Sequence, residues 1–452
     1  MPPRPSLTTE TRRILSLAWP VILTGLNWTI LHVTDVVVVG FTGTGEVAAL
    51  GASRAVTFIG IVMAIGGLSG ILVHAARADG ARDLRGTGRA LHEGLILAVA
   101  LGLTSGLILF AFALPMLLAL GVAPEVAPAG ARVVRVMALA YPFQLLIIAA
   151  SFFLEGVSHP KRVAIVNLSI LPINALLAWA MSGGHLGLPQ LGAVGAAAAT
   201  AIASLIGAIC MLTATWSLPG ARARGVHDLS TLFGRATLRG ALRLARFGAV
   251  PALASGLELA GFSILIALST QQGDIVAHAF QIVFSIHNVT FALALGLGSA
   301  AGVRVGNAVG EGTPEQAAWR TGIAAAISAA AIGTLAMVLF IFPEPVVALF
   351  PAAAPVHLLA TRMLPIWAPF ILFDGVQVVF VYALRSLGDQ IAAGLNSIIA
   401  FFLITGGAGL LLVAAGLGPF ALVYASGIGM VVAAALHGAR LVWLNRRIRS
   451  RS

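Results

Sequence analysis

Three carboxylate residues lie alone within long apolar stretches of this chain: Asp35, Glu258 and Asp374. Moving a charged side chain to the centre of a bilayer costs about 2.5–3.5 kcal/mol, so each acid is expensive to keep in a membrane. Desolvation favours the neutral form of a carboxyl group, and two nearby acids can share one proton or hold one monovalent cation. These residues therefore predict sites that take up and release a small cation. The alternative is a structural hydrogen bond between helices, which contributes only about 0.6 kcal/mol on average.

Several uncharged polar residues accompany these acids at helical spacing. Asn27 lies on the same helix face as Asp35, and Gln377 follows Asp374 by one turn. Asn174, in another apolar run, is a candidate partner for Asp35. A further polar face is formed by His278, Gln281, Ser285 and Asn288. This face either lines the transport pathway or forms hydrogen bonds to adjacent helices.

The composition places these residues in a membrane. Of the 452 residues, 59% are hydrophobic and 10% are charged, whereas a soluble domain has about 25% charged residues. A spanning helix needs about 20 apolar residues, and twelve such runs predict an all-α integral membrane protein. The predicted spans are residues 14–40, 47–76, 91–119, 131–157, 162–183, 192–217, 246–270, 275–309, 320–350, 358–386, 391–416 and 419–444.

The net charge of +11 follows the membrane topology and does not indicate nucleic-acid binding. With the N-terminus in the cytoplasm, the basic residues cluster on the cytoplasmic side, as the positive-inside rule requires, and both termini are cytoplasmic. The clusters abut helix ends and lack interleaved aromatic residues, so no nucleic-acid partner is expected. They lie at Arg4–Arg13, Arg77–Arg89, Lys161–Arg162, Arg222–Arg246 and Arg440–Arg451, and only Arg54, Arg132, Arg135 and Arg362 fall outside.

The chain repeats itself with an offset of about 230 residues, which is typical of transporters built from two parallel halves. Pro20 corresponds to Pro251, and Gly45–Ala49 (GEVAA) corresponds to Gly273–Ala277 (GDIVA). The repeat predicts an N-terminal lobe at 1–217 (helices 1–6), a cytoplasmic linker at 218–245 and a C-terminal lobe at 246–452 (helices 7–12). Within the linker, Arg235, Arg239 and Arg243 recur every four residues. They indicate either a separate amphipathic helix on the inner leaflet or a solvated linker.

Several longer segments resemble the multidrug and toxic compound extrusion (MATE) family, in its NorM-like branch. The resemblance covers nearly the whole chain and is most specific along the eighth predicted helix and just after it, at Val276–Ile282, Gly296–Gly298 and Arg304–Ala317. The matching segments are Val33–Gly40 (VTDVVVVG), Leu191–Thr200 (LGAVGAAAAT), Pro251–Phe262 (PALASGLELAGF), Val276–Ile282 (VAHAFQI), Arg304–Ala317 (RVGNAVGEGTPEQA) and Phe373–Asp389 (FDGVQVVFVYALRSLGD).

The resemblance implies two pseudo-symmetric six-helix lobes around a central cavity, and export of cationic amphipathic drugs in exchange for H⁺ or Na⁺. It implies a first-lobe cation site at Asp35 with Asn174 and Thr200, and a second-lobe site, with a possible Na⁺, at Glu258 and Asp374. Two departures leave the ion open: Ala178 and Phe370 stand where some relatives have Asp and Tyr. We expect a monomer without a cofactor, in a bacterial cytoplasmic membrane.

Other classes of function fit the sequence less well. The chain has no G-x-S-x-G, H-E-x-x-H or ATP-binding-loop motif, so a catalytic role is not expected. Its single cysteine, Cys210, excludes disulfides and thiolate metal sites. A lipid-linked saccharide flippase of the same superfamily would need basic residues deep in its cavity, whereas the deep charges singled out here are acidic. A membrane-embedded enzyme or a channel is a further alternative, although a two-fold repeat with single, unclustered carboxylates fits alternating access better.

Overall fold

The computed structural model describes residues 5–450, in which the chain forms twelve helices that are long and apolar enough to cross a membrane. The predicted fold class and number of spans are confirmed. Arg4 and Arg451, assigned above to the terminal basic clusters, lie outside the described residues. In chain order the helices are α1 (Leu7–Gly40), α2 (Thr44–Gly80), α3 (Leu84–Ala119), α4 (Ala127–Gly156), α5 (Pro160–Gly183), α6 (Gly192–Trp216), α7 (Arg235–Gln271), α8 (Asp274–Gly310), α9 (Pro314–Ile341), α10 (Ala354–Ser386), α11 (Gln390–Ala414) and α12 (Phe420–Arg449).

Three of these helices are interrupted, kinked or locally π-helical within their length. α2 is interrupted at Ser69, whose hydroxyl donates a hydrogen bond to the Gly66 carbonyl oxygen at 2.6 Å. α3 is kinked at Phe112, three residues before Pro115. α11 contains a π-helical segment at Ile398–Gly406. Such breaks are tolerated in lipid only where the freed backbone groups find other partners.

The three regularly spaced arginines of the predicted linker are exposed and do not form a helix of their own. Arg235, Arg239 and Arg243 lie in the first turns of α7, which continues to Gln271, so they form no separate surface helix. A four-residue spacing of arginines occurs in a long helix as well as in a short one, so the spacing did not reveal that these residues belong to α7. Upstream, residues 218–234 form turns and a single 3₁₀ turn. They are anchored by Arg224, which forms an ion pair with Asp79 at 2.9 Å.

The contacts divide the chain into two compact units. Unit 1 contains α1 up to Gly25, the turn Gly80–Arg82 and the chain from Leu253 onward; unit 2 contains Leu26–Asp79 and Asp83–Ala252. The first turns of α1 therefore pack with α8 and its neighbours. The lobe boundaries at 217 and 246 describe the sequence repeat and stay a prediction.

Each unit has its own apolar core. In unit 1 large side chains of α7, α8, α10 and α11 interlock, with Phe262, Trp367 and Phe401 among them. In unit 2 buried side chains such as Phe153 and Leu145 alternate with buried alanine and glycine residues, and Tyr141 of α4 donates a hydrogen bond to the Thr57 carbonyl oxygen of α2 at 2.6 Å. Small residues are what close helix packing in lipid requires, since lipid tails provide no hydrophobic driving force between helices.

Gly248 shows how strict this packing is. A Cβ atom added to Gly248 would overlap the carbonyl oxygen of Gly67 on α2, so no side chain fits there. We expect Gly248→Val to destabilise unit 2 by about 1–3 kcal/mol, the usual cost of overpacking. The measurement is the melting temperature of the detergent-solubilised protein. Gly51→Val is the control, because a Cβ atom at Gly51 meets no described atom within 4 Å; equal melting temperatures for the two variants would contradict the prediction.

Candidate functional site

The first candidate site lies in unit 2, around the carboxylate of Asp35 on α1. Asp35 is 8% exposed, although it sits in an apolar span. Asn174 of α5 donates a hydrogen bond from Nδ2 to Asp35 Oδ1 at 3.2 Å. Arg54 of α2 places Nη2 at 3.5 Å from Asp35 Oδ2. The structure thus brings together two residues predicted from the sequence, and it adds an arginine.

The other polar residues predicted for the first lobe do not bond to Asp35. Asn27 is buried and donates a hydrogen bond to the Asn167 carbonyl oxygen at 3.2 Å, while its Oδ1 has no hydrogen-bond partner among the described residues. Thr200 donates a hydrogen bond to the Ala196 carbonyl oxygen of its own helix at 3.1 Å. Asn27 therefore leaves a buried acceptor free, whereas the Thr200 hydroxyl proton is already used by its own helix.

The second candidate site lies in unit 1, between α7 and α10. Asp374 is 3% exposed and accepts a hydrogen bond on Oδ1 from Gln377 Nε2 at 3.1 Å. Glu258 of α7 interacts electrostatically with Asp374 and with Arg385. The amide oxygen of Gln377 is buried and has no hydrogen-bond partner among the described residues. The two acids repel each other, and a proton or a monovalent cation held between them would relieve that repulsion.

His287 of α8 adds a buried imidazole to the second site. It interacts electrostatically with Asp374, and its ring is surrounded by aromatic rings, with the Trp367 centroid at 5.4 Å and the Phe262 centroid at 5.6 Å. Its Nδ1 is buried without a hydrogen-bond partner among the described residues. A small cavity borders the ring, lined in part by Ser426. Sequence reasoning missed His287 because a single histidine on an apolar helix face carries no periodic signal.

The predicted polar face of α8 lies on the opposite side from His287. His278, Gln281 and Asn288 are exposed, and Ser285 is half-buried and donates a hydrogen bond to the Gln281 carbonyl oxygen at 2.8 Å. The three exposed side chains are therefore not packed within unit 1. Among the described residues there is also no group of three or more His, Cys, Asp and Glu residues that is arranged to hold a metal ion.

The fold and the two buried acid sites define a class of protein: a polytopic membrane protein with ionisable groups deep in its spans. The sequence profile of the MatE family matches residues 20–180 and 252–406. The chain therefore belongs to the MatE family.

Comparisons with individual proteins agree with this assignment. The chain is 33% identical over 444 residues to the "Probable multidrug resistance protein NorM" of Deinococcus radiodurans, covering 95% of each chain. It is 31% identical over 451 residues to the protein of the same name from Rhodopseudomonas palustris, covering 97% of this chain and 92% of that one.

Solved structures share the fold at lower identity. The crystal structure of the eukaryotic MATE transporter AtDTX14 has a TM-score of 0.87 at 20% identity and covers 98% of this chain and 99% of that one. A structure titled "Reverse polarity of binding pocket suggests different function of a MOP superfamily transporter from Pyrococcus furiosus" has a TM-score of 0.84 at 19% identity and covers 98% of this chain and 96% of that one.

Proposed function

We propose that this protein is a secondary antiporter that exports organic cations across the bacterial cytoplasmic membrane in exchange for H⁺ or Na⁺ by alternating access. Its curated relatives are named multidrug resistance proteins, which supports drug efflux as the physiological task. The basic clusters at the helix ends support cytoplasmic termini. We propose that it works as a monomer.

The observation that carries the proposal is the placement of acids deep within the spans. Asp35 and Asp374 are buried in apolar helices, and each has an amide side chain as a hydrogen-bond partner. Carboxylate oxygens can take up a proton, or hold Na⁺ together with other oxygen ligands. In the second site the unpartnered amide oxygen of Gln377 is available as such a ligand. The acids thus provide a place where a small cation and an organic cation compete.

The number of acids in the two sites limits how many ions can be exchanged for one drug molecule, and therefore which gradients can drive export. Moving one charge through 100 mV supplies about 2.3 kcal/mol, and each tenfold concentration gradient costs about 1.4 kcal/mol. Exchange of one monovalent drug for one proton moves no net charge, so only the pH gradient drives it. Exchange for two ions would also use the membrane potential. One acid in unit 2 and a pair of acids in unit 1 permit either stoichiometry.

The balance of buried charge also weighs against an anionic cargo. The two sites contain three carboxylates, Asp35, Glu258 and Asp374, and two guanidinium groups, Arg54 and Arg385. A pyrophosphate-linked lipid would need basic groups in excess. The two sites instead have more acidic than basic groups, which favours an organic cation as the cargo.

The proposal is tested by reconstituting the protein in liposomes and imposing a pH gradient and a Na⁺ gradient in separate experiments. We expect ethidium uptake to follow one of the two gradients, which identifies the coupling ion. Asp35→Asn is expected to lower the initial rate by at least about tenfold, because it removes the charge that attracts the cation and keeps the shape of the side chain.

The matched control is Glu125→Gln, which removes a negative charge from an exposed loop of the same unit. We expect this variant to transport at the wild-type rate. Uptake no faster than in empty liposomes under either gradient would contradict the proposed antiport. Full activity of a folded Asp35→Asn protein would contradict the assignment of the first site.

A further inference from the structure

Arg54 faces the acid that the proposed function assigns to the first site. Its Nη2 atom lies 3.5 Å from Asp35 Oδ2 and also donates a hydrogen bond to the His32 carbonyl oxygen at 3.0 Å. The other carboxylate oxygen is occupied by Asn174. The Arg54 side chain is 27% exposed, whereas that of Asp35 is 11% exposed. Arg54 is therefore the more exposed partner of this ion pair.

The geometry of this ion pair differs from that of the tight ion pairs elsewhere in the chain. Arg304 contacts Glu10 through two hydrogen bonds of 2.6 and 2.8 Å, and Arg440 contacts Asp389 through two of 2.6 and 3.1 Å. Charge-assisted hydrogen bonds are normally about 2.7–2.9 Å long. The single contact of 3.5 Å at Asp35 is long in comparison. Arg54 keeps a second acceptor in the His32 carbonyl group, so it can leave the carboxylate without losing every partner.

A cation that binds Asp35 must therefore compete with Arg54. While Arg54 faces the ionised carboxylate, the pair is neutral. A proton, Na⁺ or an organic cation placed on Asp35 leaves the guanidinium group without its counter-charge in a poorly solvated site, which is unfavourable unless the arginine moves.

We propose that Arg54 is an internal cation that occupies Asp35 between transport events and is displaced by the incoming cation. This inference rests on the proposed function, since it assumes that Asp35 binds the transported or coupling cation. Arg54 then lowers the affinity of the site and speeds release of the cation, because the arginine returns as the cation leaves. It is a residue that tunes the site without contacting the cargo.

The test measures the affinity of the purified protein for ethidium by fluorescence anisotropy, at alkaline pH where protons compete least for the carboxylate. We expect Arg54→Gln to tighten binding by about tenfold and to reduce the maximal rate of ethidium uptake in liposomes. Arg54→Lys keeps the charge and is expected to bind ethidium as the wild type does. Arg132→Gln, which removes an exposed arginine of the same unit, is the matched control and is expected to change neither quantity.

The same pair of measurements in an Asp35→Asn background separates competition from a structural role. We expect Arg54→Gln to have no effect on ethidium affinity there, because the carboxylate for which ethidium and Arg54 compete is gone. Equal effects in both backgrounds, or no tightening in the presence of Asp35, would overturn the inference. Should Arg54→Gln not fold, Arg54→Met, which keeps the aliphatic stem, takes its place. We expect it to tighten ethidium binding in the presence of Asp35 and to have no effect in the Asp35→Asn background.

The inference and the proposed function fail in different ways. If Asp35→Asn alone leaves ethidium affinity and uptake unchanged, Asp35 is not a cation site and both proposals fall at this position. If Asp35→Asn impairs both while Arg54→Gln does not tighten binding, only the role of Arg54 is refuted.

Discussion

Asp374→Asn is expected to reduce gradient-driven ethidium uptake by about a hundredfold or more, which corresponds to roughly 2.7 kcal/mol. Asparagine has nearly the same volume as aspartate and still accepts the hydrogen bond from Gln377, so the protein should fold. The substitution removes one of the two acids of the second site. Because this site is buried and its dielectric constant is low, each charge in it interacts strongly with a bound cation. Glu258 alone would then have to hold and release the cation. The measurement is the initial rate of uptake by proteoliposomes that contain equal amounts of protein.

Glu258→Gln tests whether Glu258 and Asp374 hold one cation together. If the two acids serve one cation, either single substitution should remove most of the function, and the double variant should be little worse than each single variant, because residues that act as a unit are non-additive. Asp274→Asn, at the exposed start of α8 in the same unit, is the matched control and should transport normally. Losses that add in full would show that Glu258 and Asp374 act independently. Wild-type rates in both single variants would remove the second site from the proposal.

The number of spans was predictable from the sequence because lipid imposes one simple requirement. Every backbone polar group in a bilayer must be satisfied within the protein, so each apolar run of sufficient length becomes a helix. Details that depend on local geometry were not predictable. The π-helical segment Ile398–Gly406 of α11 has no composition that separates it from an α-helix. The start of α7 at Arg235 was obscured because the same helical period continues from the basic segment into the span.

The acids of the candidate sites were predictable from the sequence, whereas most of the residues that contact them were not. Asp35, Glu258 and Asp374 stand out because charge is rare in their surroundings. Arg54 was noticed only as a basic residue outside the cytoplasmic clusters, since nothing in a linear sequence indicates that it faces an acid 19 residues earlier. The pairing of Asn174 with Asp35, across 139 residues, was predicted because Asn174 is a polar residue in another apolar run and because the resemblance to the MATE family implies it; no helical spacing connects the two residues.

Another pairing that the sequence does not reveal joins the start of α1 to the end of α8 within unit 1. Glu10 is fully buried and accepts two hydrogen bonds from Arg304, from Nε to Oε1 at 2.6 Å and from Nη2 to Oε2 at 2.8 Å. Arg304 also donates a hydrogen bond to Asn307 Oδ1 at 3.0 Å, and its carbonyl oxygen accepts one from Arg320 at 2.8 Å. The Glu10 carboxylate is thus the counter-charge at the centre of a buried polar network.

Glu10→Gln should therefore destabilise unit 1 by about 3–5 kcal/mol, because removing one partner of a buried ion pair leaves the other charge uncompensated. The melting temperature of the solubilised protein reports this loss. Arg89→Gln is the control, since Arg89 forms an ion pair with Asp83 in which both side chains are largely exposed, and such pairs contribute about 0–1 kcal/mol.

The double variant Glu10→Leu with Arg304→Met tests the cause of the destabilisation. Replacing both charges by apolar groups removes the uncompensated charge, and such replacements of buried ion pairs are often neutral or stabilising. We expect the double variant to melt at a higher temperature than Glu10→Gln. If it is no more stable than Glu10→Gln, then the loss comes from disrupted packing of α1 against α8 and not from the buried charge of Arg304. If Glu10→Gln has the same melting temperature as the wild type, the ion pair does not hold the start of α1 in place.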